Sequence, residues 1–143
     1  MDTFTINALP AGDVETHAPT AVRRPADDRS PCRRCLRDAL EGEPLVLAPY
    51  NPFTRPSPYA GEGPVFVHAD GCEPFAGDET EQVEGRTLSI RAYDADAMLA
   101  DAAVLPGDRF EEGVRTLLGD PGVAFLHVHF AGPGCFAFRV DRA

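Results

Sequence analysis

Proline and glycine interrupt this chain throughout, and the segments that they separate are short. The 143 residues include 14 prolines and 13 glycines, which indicates many turns and several irregular stretches. Four of the prolines lie between 49 and 58, so this segment is predicted to be a structured loop. Proline lacks a backbone N–H and breaks helices and inner strands. We therefore expect short strands joined by turns.

Hydrophobic patterning predicts an α+β fold with an antiparallel-rich sheet of about six strands. The candidate strands lie near 3–9, 45–48, 65–67, 88–93, 102–105, 123–130 and 135–142. One main helix is predicted near residues 108–119, where the spacing of Asp108 and Glu111 fits a capping box and Gly119 marks the end. The chain is expected to form a single compact domain, residues 1–143. Residues 10–31 are expected to be a loosely ordered connector, followed by a core over 32–142.

Composition excludes several classes of function. The net charge is −10, and all 13 basic residues are arginine, so nucleic acid is not an expected partner. No apolar run approaches the ~20 residues that span a bilayer, so no membrane association is expected. The first 20 residues lack the apolar centre of a signal peptide, which predicts a cytoplasmic protein. Thiols stay reduced there, which favours metal binding or thiol chemistry over disulfides.

The last two predicted strands form a C-terminal β-hairpin with two distinct faces. The even positions are apolar: Leu126, Val128, Phe130, Phe136, Phe138 and Val140. Because strand side chains alternate between faces, His127, His129, Cys135 and Arg139 are predicted to share the opposite face. If strand 88–93 belongs to the same sheet, Arg91 joins them.

Two of these side chains form a candidate metal site. His127 and His129 would stand roughly 6.5–7 Å apart at Cα, which lets both imidazoles reach one ion. Cys135 could supply a soft third ligand and Cys32 a fourth, with zinc as a possible cofactor. The alternative is that two histidines simply occupy a solvated strand face.

Two further cysteine groups allow other chemistry. Cys32 and Cys35 have the spacing of a zinc knuckle and also of a redox dithiol, but no second Cys-x-x-Cys exists. Such a site would have to be completed from a distance, by Cys72 and Cys135 or by His68 and Cys72. His68 and Cys72 flank a predicted turn. They could also pair as a nucleophile and its base. The alternative in each case is that the thiols are unrelated.

The chain resembles a bacterial family defined only as a domain of unknown function, DUF1203. The resemblance is carried by segments 8–10, 31–33, 57–59, 63–67, 88–93, 126–129 and 134–136. It implies a small cytosolic α+β protein without an established activity. Besides the hairpin residues and Cys32, it marks Arg33, Tyr59 and Arg91 as candidate ligand-binding positions. Relatives often have serine at the position of Cys35, which favours the hairpin over the Cys-x-x-Cys pair as the general site.

Three functions remain open from the sequence. The first is binding of a small anionic ligand or a metal at the polar face of the hairpin, since arginines beside imidazoles suit an anion. The second is a metal- or thiol-dependent enzyme that uses the same residues. The third is a protein-interaction module that presents the proline-rich loop 49–58. The sequence predicts neither the substrate nor the oligomeric state.

Overall fold

The computed structural model describes residues 4–9 and 14–143, which form a compact small domain rich in antiparallel strands. The described residues contain ten strands and one α-helix. The strands are β1 Phe4–Asn7, β2 Val22–Pro25, β3 Ser30–Pro31, β4 Asp38–Ala39, β5 Pro44–Tyr50, β6 Gly63–His68, β7 Thr87–Tyr93, β8 Leu99–Pro106, β9 Phe125–Phe130 and β10 Phe136–Arg142. The helix is α1, Phe110–Leu118.

The largest sheet has five strands in the order β1-β10-β9-β7-β8. Its central pairings place Arg91 opposite His127 and Ser89 opposite His129, which confirms that the strand near 88–93 lies beside the hairpin. Helix α1 covers one face of this sheet. The buried side of α1 includes Val114 and Leu117, which join the same core cluster as Ile90 of β7. This face therefore holds the main hydrophobic core.

A second sheet has the order β2-β5-β6, and a third consists of β3 and β4. The second sheet packs near the opposite face of the five-stranded sheet, where Tyr50 of β5 contacts Phe136 of β10. Cys32, directly after β3, forms a parallel bridge with Phe66 of β6. The segment that carries Cys32 is thereby attached to the second sheet.

The predicted number and arrangement of strands were wrong. The strands form sheets of five, three and two instead of one sheet of about six. The missed strands are short: β3 and β4 have two residues each, and β2 is an exposed edge strand, Val-Arg-Arg-Pro, with no apolar alternation. Strand β2 lies within the predicted connector 10–31, of which residues 10–13 lie outside the described residues.

The predicted helix was right in position but wrong in its cap. Residues 107–109 form a 3₁₀ turn, and α1 begins at Phe110 with Arg109 as the N-cap. Arg109 makes no side-chain cap hydrogen bond, so Asp108 and Glu111 do not form a capping box. The contacts of the preceding turn explain why the helix begins later than the capping pattern predicts. Gly107 donates to the Arg86 carbonyl at 2.8 Å, which fixes the chain before the helix can begin.

Candidate functional site: a cationic cavity beside a cysteine–histidine cluster

A cavity of about 830 Å³ opens between the hairpin, the second sheet and the proline-rich loop. Five predicted site residues line it: Arg33, Tyr59, Arg91, His129 and Cys135. They come from four separate parts of the chain and meet because β7 and β9 are neighbours and β3 leads into the same space. We refer to this space as the arginine cavity.

Arg33 is the most buried charged residue of this cavity, with 1% of its surface exposed. Its Nε donates to the Phe136 carbonyl at 2.7 Å, Nη1 to the Pro31 carbonyl at 2.7 Å, and Nη2 to Cys135 Sγ at 2.9 Å. Its guanidinium also lies 5.1 Å from the centre of the Phe130 ring. Burial lowers the pKa of Arg33. The side chain thus places a desolvated positive group against Cys135.

Arg91 and His129 form the second polar contact of the cavity. His129 Nδ1–H donates to the Gly134 carbonyl at 3.0 Å, which leaves Nε2 as an acceptor for Arg91 Nη1 at 3.4 Å. Burial lowers the pKa of His129 to about 4, so the ring is neutral near pH 7. Arg91 is therefore the cation of this pair.

The cavity is positive although the protein as a whole is acidic. Four of the 13 arginines line it, against one acidic side chain, Glu62. Arg86 is ion-paired to Asp38 at 3.0 Å, and Arg29 pairs with the same carboxylate at 2.9 Å. Among residues 4–9 and 14–143, no carboxylate forms an ion pair with the other two, Arg33 and Arg91.

His127 does not reach the cavity. Its side chain is fully buried and lies edge-on or tilted against the rings of Phe53, Tyr93, Phe125 and Phe136, with centroids 4.8–5.2 Å away. Neither ring nitrogen has a hydrogen-bond partner among the described residues. Burial lowers the pKa of His127 to about 3. The ring is a neutral member of an aromatic cluster.

A bulge in β10 alters the predicted faces of the hairpin. Phe136 pairs with His129, but Phe138 pairs with Val128, so an extra residue is accommodated between them. The bulge turns Phe136 onto the histidine face, whereas Phe138 stays in the core below α1. The expectation that all even positions share one face was therefore wrong at Phe136.

A second group of chemically active side chains lies near the cavity. It comprises Cys32, Cys35, His68 and Cys72, and we call it the cysteine–histidine cluster. Its four ligand atoms all lie within 4.8 Å of one another. Cys32 Sγ and Cys72 Sγ are 3.8 Å apart, and Cys35 Sγ lies 3.7 Å from His68 Nδ1. Of the side chains that the structure describes, this is the group that could hold a metal ion.

Hydrogen bonds fix the ionisation of the cluster. The side-chain hydrogen bond from Cys35, together with backbone N–H groups of Cys35, Arg34 and His68, lowers the pKa of Cys32 well below its usual range. The pKa of Cys35 rises in return, because its proton is held against Cys32. Burial raises the pKa of Cys72. Cys32 is thus the thiol that ionises first.

His68 has the tautomer that a metal ligand requires. Its Nε2–H donates to Glu43 Oε1 at 3.1 Å, which leaves the Nδ1 lone pair directed at Cys35. In metal sites, the ring nitrogen that does not bind the metal commonly donates to a carboxylate, and this contact orients the imidazole.

The structure therefore divides the predicted metal ligands among three places. Cys32 belongs to the cysteine–histidine cluster, His129 and Cys135 line the arginine cavity, and His127 is enclosed by aromatic rings. Sequence reasoning did not assign Arg29, Arg86 or Glu43 to a site. In the sequence these three residues appear only as charged residues near acidic neighbours. Charge alone did not distinguish them from surface residues.

The fold and these two sites define a small antiparallel α+β domain with an internal cationic cavity beside a potential metal-binding cluster. The chain matches the model of a family described as Protein of unknown function (DUF1203) over residues 29–142, and it belongs to that family. No curated protein and no solved structure matches the chain. None of the helices in the described part of the chain is long and apolar enough to cross a membrane.

Proposed function

We propose that the protein binds a small amphipathic anion, such as a carboxylate with an apolar body, in the arginine cavity. The observation that carries this proposal is the charge imbalance of the cavity. Four arginines face one glutamate in a protein of net charge −10, and Arg33 and Arg91 have no ion-pair partner among the described residues. A desolvated guanidinium without a carboxylate partner favours an anionic ligand, because the cost of its desolvation has already been met on folding.

The rest of the cavity suits an apolar body. Leu47, Phe53, Phe66 and Phe130 contribute to its walls, and its volume lies within the usual range for small-molecule sites. Tyr59, 44% exposed, stands at the cavity and contacts the Tyr93 ring at 5.8 Å. The ligand would thus place its charged group near Arg91 and its apolar part against these rings.

Arg91→Met should weaken binding of an aromatic sulfonate probe, anilinonaphthalene sulfonate, about 10- to 100-fold. This is the range expected when a charge-assisted hydrogen bond is removed. Fluorescence titration measures the affinity, and the neutral analogue phenylnaphthylamine serves as the reference ligand. Its affinity should stay within about twofold, because methionine preserves the apolar contact.

Arg109→Met is the matched control. Arg109 is exposed on the far side of the domain and ion-paired to Glu112 at 3.3 Å, so its loss should leave sulfonate binding unchanged. Equal weakening by both variants would assign the effect to net charge and refute a localised anion site. No saturable binding of the sulfonate by the wild-type protein would refute it as well.

The other two functions have less support. In the proline-rich loop, Phe53 packs against Tyr93 and His127, and Tyr50 packs against Phe136, so the loop turns aromatic rings toward the domain. A thiol-dependent enzyme would use Cys135, which is partly exposed at the cavity. The hydrogen bonds found for His129 are to Gly134 and Arg91, so it is not placed as the base for that thiol.

A further inference from the structure

We propose that the cysteine–histidine cluster binds one Zn²⁺ ion in a closed tetrahedral site. The site would join two segments that are distant in the sequence: the turn after β3, with Cys32 and Cys35, and the end of β6 with the residues that follow it, His68 and Cys72. The proposal of this metal site does not rest on anion binding in the arginine cavity.

Two of the separations between donor atoms match a tetrahedral zinc site, and all the donor atoms lie within 4.8 Å of one another. With Zn–S bonds of about 2.3 Å and a Zn–N bond of about 2.0–2.1 Å, tetrahedral geometry places two sulfurs ~3.8 Å apart and sulfur and nitrogen ~3.6 Å apart. The Cys32–Cys72 separation is 3.8 Å, and the separation of Cys35 Sγ from His68 Nδ1 is 3.7 Å. Three thiols and one imidazole are also the donor set that selects zinc over harder ions.

The backbone around Cys32 has the form of a metal-binding knuckle. The tight turn from Cys32 to Cys35 brings two of the ligand atoms together. Leu36 N–H donates to the Cys32 carbonyl at 3.1 Å and closes this turn. The Gln82 side chain, fully buried, donates to the carbonyls of Cys32 and Arg37 at 3.0 Å each. The turn is therefore shaped before any ion binds.

The surrounding charges suit a metal–thiolate complex. Zn²⁺ with three thiolates and a neutral imidazole carries one net negative charge, and the thiols release their protons when they bind. Arg34 lies close enough to favour negative charge on Cys72, and its buried Nε has no hydrogen-bond partner among the described residues. The Cys35 thiol lies 4.0 Å from the Arg37 carbonyl oxygen. Arg34 is thus a cation beside the complex, and the Glu43 carboxylate contacts it only through His68, at 3.1 Å.

The role of this zinc would be structural, because all four positions are filled by protein ligands. The cluster includes two residues of the Cys-x-x-Cys turn, and Arg33 lies between them. The Arg33 N–H donates to the Phe66 carbonyl at 2.9 Å, and its carbonyl accepts from Leu9 at 3.2 Å. The ion would hold this turn in place and with it the side chain that enters the arginine cavity.

The test is the zinc content of protein purified without a histidine tag from zinc-supplemented medium, measured by plasma mass spectrometry. Wild-type protein should carry about one zinc per chain, and Cys35→Ser and Cys72→Ser should carry less than about a fifth of that. Cys135→Ser, the thiol outside the cluster, should retain one zinc. Wild-type protein without zinc, also after incubation with the ion, overturns the proposal. Loss of zinc in Cys135→Ser but not in Cys35→Ser also overturns it and places the metal at the hairpin.

One further variant and two further measurements keep the test decisive if the serine variants fail to fold. Cys72→His replaces one zinc ligand by another, and we expect it to retain zinc. Chelated wild-type protein should bind one cobalt ion with the intense absorption of tetrahedral cobalt thiolate. Iodoacetamide should label Cys135 with and without zinc, and it should label Cys72, the partly exposed thiol of the cluster, only after chelation. Octahedral cobalt absorption, or equal labelling of Cys72 with and without the chelator, contradicts a thiolate site.

Discussion

Lowering the pH from 7 to 4 should reduce the free energy of unfolding by about 6 kcal/mol through two buried histidines alone. Folding lowers the pKa of His127 from 6.5 to about 3 and that of His129 from 6.5 to about 4, in both cases mainly by burial. The unfolded chain then binds more protons than the folded one below pH 6.5. The contribution of the two histidines should be constant above that value and fall as the pH drops towards 3. Urea unfolding at pH 7, 6, 5 and 4 measures this slope.

His127→Phe should remove about half of this pH dependence. Phenylalanine fits a cluster formed by Phe53, Tyr93, Phe125 and Phe136, and it also removes two buried nitrogens that have no partner among the described residues. Stability at pH 7 should therefore be equal to or above that of the wild type. Phe125→Leu is the control: it disturbs the same cluster without removing a proton site, so its stability curve should run parallel to that of the wild type. An unchanged slope in His127→Phe would contradict the burial argument.

Gly107→Ala should destabilise the protein by about 3 kcal/mol or more, which is large for the addition of one methyl group. A Cβ at this position would lie 1.6 Å from the Val83 carbonyl oxygen and 2.6 Å from its carbon, and backbone atoms cannot rotate away as a side chain can. Thermal and urea unfolding measure the loss. The turn that contains Val83 also carries Gln82, which holds the Cys32 turn, so we expect lower zinc retention during dialysis too.

Gly61→Ala is the matched control for this substitution. A Cβ there meets no atom within 4 Å, and the residue does not adopt a left-handed conformation. Its stability should stay within about 0.5 kcal/mol of the wild type or rise slightly, because alanine restricts the unfolded chain. If the two variants lose the same stability, close backbone contact at Gly107 is not the cause.

The sequence predicted local structure well and the layers of the fold poorly. The alternation of 88–93 and the hairpin placed Arg91 on the same sheet face as His127 and His129, which the pairing of β7 with β9 confirms. An alternating strand has the same sequence pattern whether its polar face is open to water or covered by another layer of the fold. Burial of His127 depends on Phe53 and on the second sheet, and no periodicity in β9 contains that information.

The cysteine–histidine cluster was hard to predict for a different reason. Cys32 and Cys72 are 40 residues apart, and they meet because Cys32 bridges to Phe66 at the strand that ends in His68. The sequence showed a Cys-x-x-Cys pair and a separate His-x-x-x-Cys segment, each with knuckle-like spacing. It did not show that one short strand would bring them together, because β3 has only two residues. Spacing in the sequence identifies each pair of candidate ligands. Only the pairing of Cys32 with Phe66 in the folded chain brings the two pairs together.

The location of the arginines inside an acidic protein affects how fast a ligand can enter. At long range an approaching anion meets the repulsion of a −10 surface, and at contact it meets Arg91 and the buried Arg33. Salt screens the first interaction over about 8 Å at physiological ionic strength but acts weakly on enclosed pairs. Added salt should therefore accelerate association, opposite to the usual behaviour of a cationic site on a cationic surface. The acidic exterior would act as a kinetic filter that favours ligands with one charge over those with several.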